Sequence, residues 1–283
     1  AKPGIAIVEG YYSYIAMGML LAAHRLKIKT ADIQHGVQSE SDYLYSLWNE
    51  IPDEGYETLP NIFWCWTETE KENINLWGLN TNGKYLSLAG GNPVLELNEN
   101  DEHVNYYTKE INELKNSKPN QINILYTHQA EFELNELLVR IIQQSPENWV
   151  WWIRFHPQYF EAQSKVTEQL SRLKLKNVIY DNIHSYPLSL LLKNMSLHVT
   201  EFSSSVLEAD MLGVPSIVLS RTGEELFRKQ IESGAAKYSS NESEFFSCAA
   251  AMLSMKTIVK ENPNSENFKK GIDVLINMIN GRN

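Results

Sequence analysis

Residues 196–220, SLHVTEFSSSVLEADMLGVPSIVLS, restrict the fold more than any other stretch. Residues 196–200 are short, apolar and β-branched, which predicts a strand. Three hydroxyls follow, Ser203, Ser204 and Ser205. Residues 206–212 carry helical spacing, Gly213 stops that helix, and Pro215 lies just beyond it. Residues 214–219 then read as a buried strand. Strand, helix, strand in this space makes the two strands parallel and sets the serine loop at the carboxyl edge of a sheet.

The same alternation runs through the chain. Strands are predicted at 4–9, 30–34, 61–66 and 84–88, with helices at 13–26 and 68–77 between them. A helix at 101–115 leads into NSKPNQ, residues 116–121, the polar stretch that best fits a linker. A second series follows. Strands are predicted at 122–127, 149–155, 178–180, 196–200, 214–219 and 236–238. Helices are predicted at 131–144, 160–173, 187–194, 206–212, 224–233, 242–255 and 266–279. Strands alternating with helices of this length imply doubly wound parallel sheets. The expectation is an α/β chain of two Rossmann-like domains facing across a cleft, residues 1–116 and 121–283. Residues 4–9 read as an interior strand with neighbours on both sides. The first domain is therefore expected to be incomplete, with further strands supplied before residue 1. Residues 41–56, aromatic and acidic, read as a long loop, either surface padding or a wall of a ligand site.

Composition excludes several function classes. With 43% hydrophobic and 21% charged residues, the chain of 283 residues is a packed globular protein. A net charge of −10 leaves no basic stripe for a nucleic-acid polymer. It does not oppose a small phosphorylated ligand, which needs only a local site. The two cysteines, Cys65 and Cys248, read as buried thiols. There is no run long enough for a membrane span, no His/Cys/carboxylate spacing for a metal and no phosphate-binding P-loop. A cytosolic chain is the default, with attachment to the inner face of a membrane through other regions or partners.

The candidate site residues lie at strand ends. Arg154 and His156 close the strand at 149–155, and Pro157 turns the chain there. Thr127 and His128 close the strand at 122–127. Serines before a helix are common as caps. Three in a row, with Glu208, Ala209 and the Gly213–Pro215 turn behind them, point to a phosphate-bearing ligand. In the first domain His35–Gly36 ends the strand at 30–34, and a histidine there suits proton transfer. Glu9 and Glu40 are the competing bases. His24, His103, His184 and His198 read as structural.

Glu208-Ala209 followed by Gly213-Val214-Pro215 resembles the donor-binding segment of GT-B glycosyltransferases. The His156-Pro157 and serine elements resemble those of bacterial polysialyltransferases, capsule-type Kdo transferases and CDP-glycerol glycerophosphotransferases. The resemblance implies a metal-independent glycosyltransferase of bacterial surface-polysaccharide synthesis. It would move a sugar from a nucleotide donor, a CMP-sugar foremost, to a glycan or lipid-linked acceptor. The nucleotide-sugar would be a substrate, so no cofactor is implied. His156 and two of the three hydroxyls Ser203, Ser204 and Ser205 would bind donor phosphate, Glu208 the ribose, and His35 would serve as acid/base. Retaining members often carry a glutamate eight positions before Glu208. Here Thr200 stands there, with Glu201 one position off, which speaks against a retaining outcome. Two alternatives share the fold class. One is a sugar-nucleotide epimerase of the UDP-N-acetylglucosamine 2-epimerase type, set below transfer because its arginine- and histidine-rich signature is missing. The other is a non-catalytic nucleotide- or glycan-binding domain.

Overall fold

The structure is a computed structural model that describes residues 3–40, 42–96, 101–115, 120–129, 131–156, 159–254 and 264–280. Most of the predicted linker, residues 116–119, and the turn residue Pro157 lie outside the described residues. The chain divides into two compact units, Ala1–Glu96 with Asn262–Asn283, and Leu97–Glu261. This division differs from a boundary between residues 116 and 121, and packing explains why. Ile111 of the helix before the linker is buried in the core of the second unit. Leu275 of the last helix is buried in the core of the first.

The first unit holds β1 (Ile5–Glu9), α1 (Tyr14–Arg25), β2 (Lys29–Ile33), β3 (Ile62–Cys65), α2 (Glu68–Gly78), β4 (Leu86–Ala89) and, from the far end of the chain, α11 (Asn264–Ile279). Its sheet is parallel in the order β1-β2-β3-β4. β1 stands at the edge with β2 as its neighbour, not between two strands, and its Ile7 is 45% exposed. Side chains alternate across β3, as strand geometry requires. Phe63 and Cys65 pack with Leu20 of α1 and Ile74 and Trp77 of α2. Ile62 and Trp64 pack with Leu275 and Phe268 of α11. Residues 41–56 form neither helix nor strand where described, yet Tyr45 is buried in this core.

Trp64 lies under two glycines. Its Nε1 donates to the Gly91 carbonyl at 2.7 Å. A Cβ on Gly90 would sit 2.1 Å from the indole, and one on Gly271 would sit 2.7 Å from it. Gly90→Ala or Gly271→Ala is therefore expected to destabilise the first unit by about 1–3 kcal/mol, the usual penalty for overpacking. Urea unfolding followed by tryptophan fluorescence measures this; an unchanged midpoint in both variants would show that the indole yields freely.

The second unit runs α3 (Glu102–Lys115), β5 (Ile122–His128), α4 (Glu136–Gln144), β6 (Trp149–Phe155), α5 (Phe160–Leu173), β7 (Val178–Ile179), α6 (Leu188–Lys193), β8 (Leu197–Thr200), α7 (Ser205–Met211), β9 (Ser216–Val218), α8 (Arg221–Leu226), α9 (Arg228–Glu232), β10 (Ala236–Tyr238) and α10 (Glu242–Ser254). All its strands are parallel, in the order β10-β9-β8-β5-β6-β7. One face is covered by α4, α5 and α10 through Leu138, Ile141, Val166, Phe245 and Met252. The other is covered by α3, α6 and α7 through Ile111, Leu191 and Ala209. The expected two-sheet parallel α/β fold is thus present. Among the described residues no helix is long and apolar enough to cross a membrane. None of their His, Cys, Asp and Glu side chains form a group of three able to hold a metal ion.

Candidate functional site

In the second unit the strand order reverses at β5. The chain moves from β5 to β6 and β7 on one side, and through β8, β9 and β10 on the other. Ligands of open α/β sheets bind at the carboxyl ends of strands at such a reversal. The residues there are Thr127 and His128 of β5, Arg154 of β6 with His156 after it, and the serines that follow β8.

Arg154 pairs in register with Thr127, and Phe155 with His128. Alternation along the strand puts Arg154 and Thr127 on the sheet face that α7 covers, and His128 on the other. Burial pulls the Arg154 guanidinium below its usual pKa, and the charge of Glu208 pushes it back up. The Arg154 Nε is buried and has no hydrogen-bond acceptor. A buried guanidinium N–H without an acceptor costs free energy unless a ligand oxygen reaches it. Glu208 is half-buried on α7. His156 is half-buried, and burial together with Arg154 lowers its pKa, so its imidazole is neutral at pH 7.

The serine loop stands on a buried hydrogen-bonded network. His198, fully buried in β8, shares hydrogen bonds through Nε2 with the hydroxyls of Thr127 at 2.9 Å and Ser205 at 3.1 Å. Its Nδ1 meets the Ser216 hydroxyl at 3.0 Å. Burial pulls its pKa down to about 3, which keeps the ring neutral. The Ser205 hydroxyl donates to Ser203 Oγ at 2.9 Å, and Ser203 N–H donates to Thr200 Oγ1 at 3.2 Å. Thr127 and Ser205 are thereby committed inside the protein, whereas Ser203 and Ser204 are half-buried. Ser204 occupies the cap position of α7 but makes no side-chain cap bond. Capping therefore does not account for its hydroxyl.

His128 is buried between the rings of Tyr126 and Phe155. Its Nε2 lies 2.8 Å from the Glu131 carbonyl, which accepts only from a protonated nitrogen. Its Nδ1 is buried and without a partner.

In the first unit, Glu9 ends β1 and is exposed, as are His35 and Glu40. His35 Nε2 lies 3.2 Å from the Tyr12 hydroxyl. Beneath them Asp32 is 1% exposed in β2. It accepts from Tyr11 N–H at 3.1 Å and from the Tyr45 hydroxyl at 3.0 Å. Burial raises its pKa to about 7, against the lowering effect of those bonds. Gln34 is buried with both ends of its amide used. Its oxygen accepts from Trp66 N–H at 2.7 Å, and its nitrogen donates to the Gly36 carbonyl at 2.8 Å, which fixes the backbone on either side of His35. Sequence reasoning missed Tyr12, Asp32 and Gln34. A carboxylate and an amide at the end of a largely buried strand were the available signal, since buried polar groups need partners.

No protein-family model matches the chain, and the search of characterised proteins returns no relative. Solved structures are similar in fold. A UDP-GlcNAc 2-epimerase from Methanocaldococcus jannaschii aligns with a TM-score of 0.65 at 20% identity, over 97% of this chain and 77% of that one. A putative UDP-N-acetylglucosamine 2-epimerase from Listeria monocytogenes aligns at 0.64 and 18%, over 99% and 76%. The wall teichoic acid polymerase TagF aligns at 0.55 and 13%, over 90% and 70%. The glycosyltransferase expectation is corrected by this result. The better fits are to 2-epimerases, the class set below transfer from the sequence, and no family match supports the capsule and Kdo transferase resemblance. Motifs as short as His-Pro and Ser-Ser do not specify which reaction a chain carries out. What the chain shares with these proteins is the two-sheet, parallel α/β architecture of the GT-B-like fold.

Proposed function

We propose that the chain binds a uridine-diphosphate sugar at the carboxyl edge of the second unit and acts on it as an epimerase. The observation that carries this reading is the fold agreement with UDP-GlcNAc 2-epimerases over nearly the whole chain. Arg154, with a buried N–H lacking an acceptor, supports it, because a diphosphate oxygen supplies that acceptor. His156, Ser203 and Ser204 are the other proposed phosphate contacts, and Glu208 the proposed ribose contact. Thr127, Ser205 and His198 hold the loop in place from behind. Inverting a sugar carbon requires a proton to be taken and returned. No cofactor beyond the substrate is invoked.

Thermal unfolding with UDP, UDP-GlcNAc, CMP and CDP tests the binding half. At about 100 times its dissociation constant a ligand stabilises the folded state by about 2.7 kcal/mol, a shift of several degrees. The uracil ligands are expected to produce it, and the cytosine ligands to produce less. Proton NMR of UDP-GlcNAc incubated with the protein tests the chemistry through the appearance of the 2-epimer. Stabilisation by CMP or CDP but not UDP would overturn the nucleotide assignment. UDP binding without any epimer would overturn the reaction.

A further inference from the structure

β1 is the free edge of the first sheet. It pairs with β2 on one side, and among the described residues no strand meets its other side. Proteins blunt such edges with lysine, proline or a bulge, because unpaired backbone N–H and C=O groups recruit another strand. β1 reads Ile-Ala-Ile-Val-Glu, with neither lysine nor proline, and its one charge, Glu9, stands at its end. Apolar stripes flank it on both faces. On one face α1 leaves Ile15, Met19 and Leu26 exposed at helical spacing, and its 12 residues include no carboxylate. On the other, α11 leaves Ile272, Ile276 and Ile279 exposed, beside exposed Ile7 of β1. A Cβ on Gly4, just before the strand, would lie 2.6 Å from Ile279, so this stripe reaches the edge itself. Apolar surface that continues across three elements marks an interaction face.

Register and charge select the partner. Ile5, Ile7 and Glu9 share one face of the sheet by alternation, the face on which Ile5 packs against the α11 core. Lys29 pairs in register with Ile5, shares that face and is exposed. A second copy turned about a two-fold axis through Ile7 lays its β1 antiparallel to the first. Ile7 then meets Ile7 of the second copy, and Ile5 meets Glu9 of the second copy. That Glu9 and Lys29 stand two strands apart, about 10 Å between backbones, a gap the long lysine stem closes. Symmetry forms this ion pair twice. Two copies of a chain with net charge −10 repel one another in general, so a face whose charges match is favoured for their contact. A lipid surface would accept the apolar stripes but would leave the edge N–H and C=O groups without partners, and a second strand supplies them.

We propose that the chain forms a two-fold dimer in which β1 pairs antiparallel with β1 of a second copy, joining the two four-stranded sheets into one. The expectation that residues 4–9 have strand neighbours on both sides is met in that pair. The inference does not depend on the nucleotide reading. Sedimentation velocity on the whole chain, from about 1 to about 100 μM, tests it, the range in which interfaces of modest affinity associate. The mass of two chains is expected at the upper end. Ile7→Lys sets like charges against each other at the axis and is expected to weaken association by about 100-fold or more. Glu9→Lys and Lys29→Glu should each weaken it by about tenfold, and the two together should restore it. Melting curves confirm that each variant folds. The axis is tested separately, with Cys248→Ser as background. Ile7→Cys is expected to form a disulfide to its own copy on mild oxidation. Ala6→Cys, on the other face and across from Val8 of the second copy, is not. A chain that stays monomeric throughout the range, an Ile7→Lys variant that dimerises as before, a charge swap that restores nothing, or equal crosslinking by the two cysteine variants would each overturn the proposal. A monomer that co-sediments with vesicles of anionic lipid would overturn it in favour of a membrane surface.

Discussion

Arg154→Met is expected to weaken UDP binding by about 10- to 100-fold, the range spanned by losing a hydrogen bond to a charged group. The reasoning starts from burial. A guanidinium withdrawn from water at a strand end is costly, and half-buried Glu208 offsets part of that cost. The unpaired Nε leaves a donor that a ligand oxygen would satisfy. Uridine, which lacks the diphosphate, is the control. If Arg154 reads phosphate, the variant should lose UDP affinity and keep most of its uridine affinity. Arg154→Lys keeps the charge but not the planar fork, so it should fall between the two. Removing the arginine also takes an opposite charge from beside Glu208, so the single variant is expected to lose stability as well as affinity. Arg154→Met/Glu208→Gln separates these effects, since it removes both charges together. Calorimetric titration of both variants with UDP and uridine decides the matter. An equal loss for both ligands, or no loss for either, would remove Arg154 from the phosphate site.

The sheets were readable because buried parallel strands are short apolar runs with sharp ends. Residues 149–155 coincide with Trp149–Phe155, and residues 4–9 differ from Ile5–Glu9 by one position. Helix starts were less readable. A helix expected from residue 131 begins at Glu136, because Gln169 of α5 holds the Leu134 N–H and Asn135 caps the helix. Both are tertiary or capping choices that periodicity does not encode. Residues 224–233 read as one helix but fold as two, α8 and α9, separated at fully buried Phe227. The apolar stripe of α11 was visible in sequence, but a stripe does not say which sheet it covers.

The site was legible to a different degree. Strand ends and the loop after β8 named Arg154, His156, Ser203 and Ser204 as candidates, and the structure sets them at the carboxyl edge of the second sheet, with Glu208 on α7. Separating Ser203 and Ser204 from Ser205 needed the buried network, because three adjacent serines are equivalent on paper. His198 was read as structural and is so, while Asp32 was not named; in both cases only tertiary contacts show which partners satisfy the buried group.

Those two buried groups also set opposite responses to acid. Asp32 in the first unit has a folded pKa of about 7. An unfolded aspartate titrates at about 3.9, so between those values the folded unit holds the extra proton. Its stability is then greatest below about pH 4 and falls as pH rises toward 7, by up to about 1.4 kcal/mol per pH unit. His198 in the second unit behaves in the reverse sense. Its folded pKa is about 3, whereas an unfolded histidine titrates at about 6.5. Between those values the unfolded chain holds the extra proton. The second unit therefore keeps this contribution above pH 6.5 and loses it as pH falls toward 3, at a similar slope. From about pH 4.5 to 6.5 one unit should gain stability on acidification while the other loses it. A single melting curve would average the two, so the measurement is hydrogen exchange read peptide by peptide, which follows the opening of each unit in the same sample. Peptides covering β2 and β3 should become better protected as pH is lowered, after correction for the intrinsic exchange rate. Peptides covering β5 and β8 should become less protected. Asp32→Asn should flatten the first response without touching the second, and His198→Gln should do the opposite. Parallel pH trends in the two units, or an Asp32→Asn variant that keeps the first slope, would show that other groups govern acid stability.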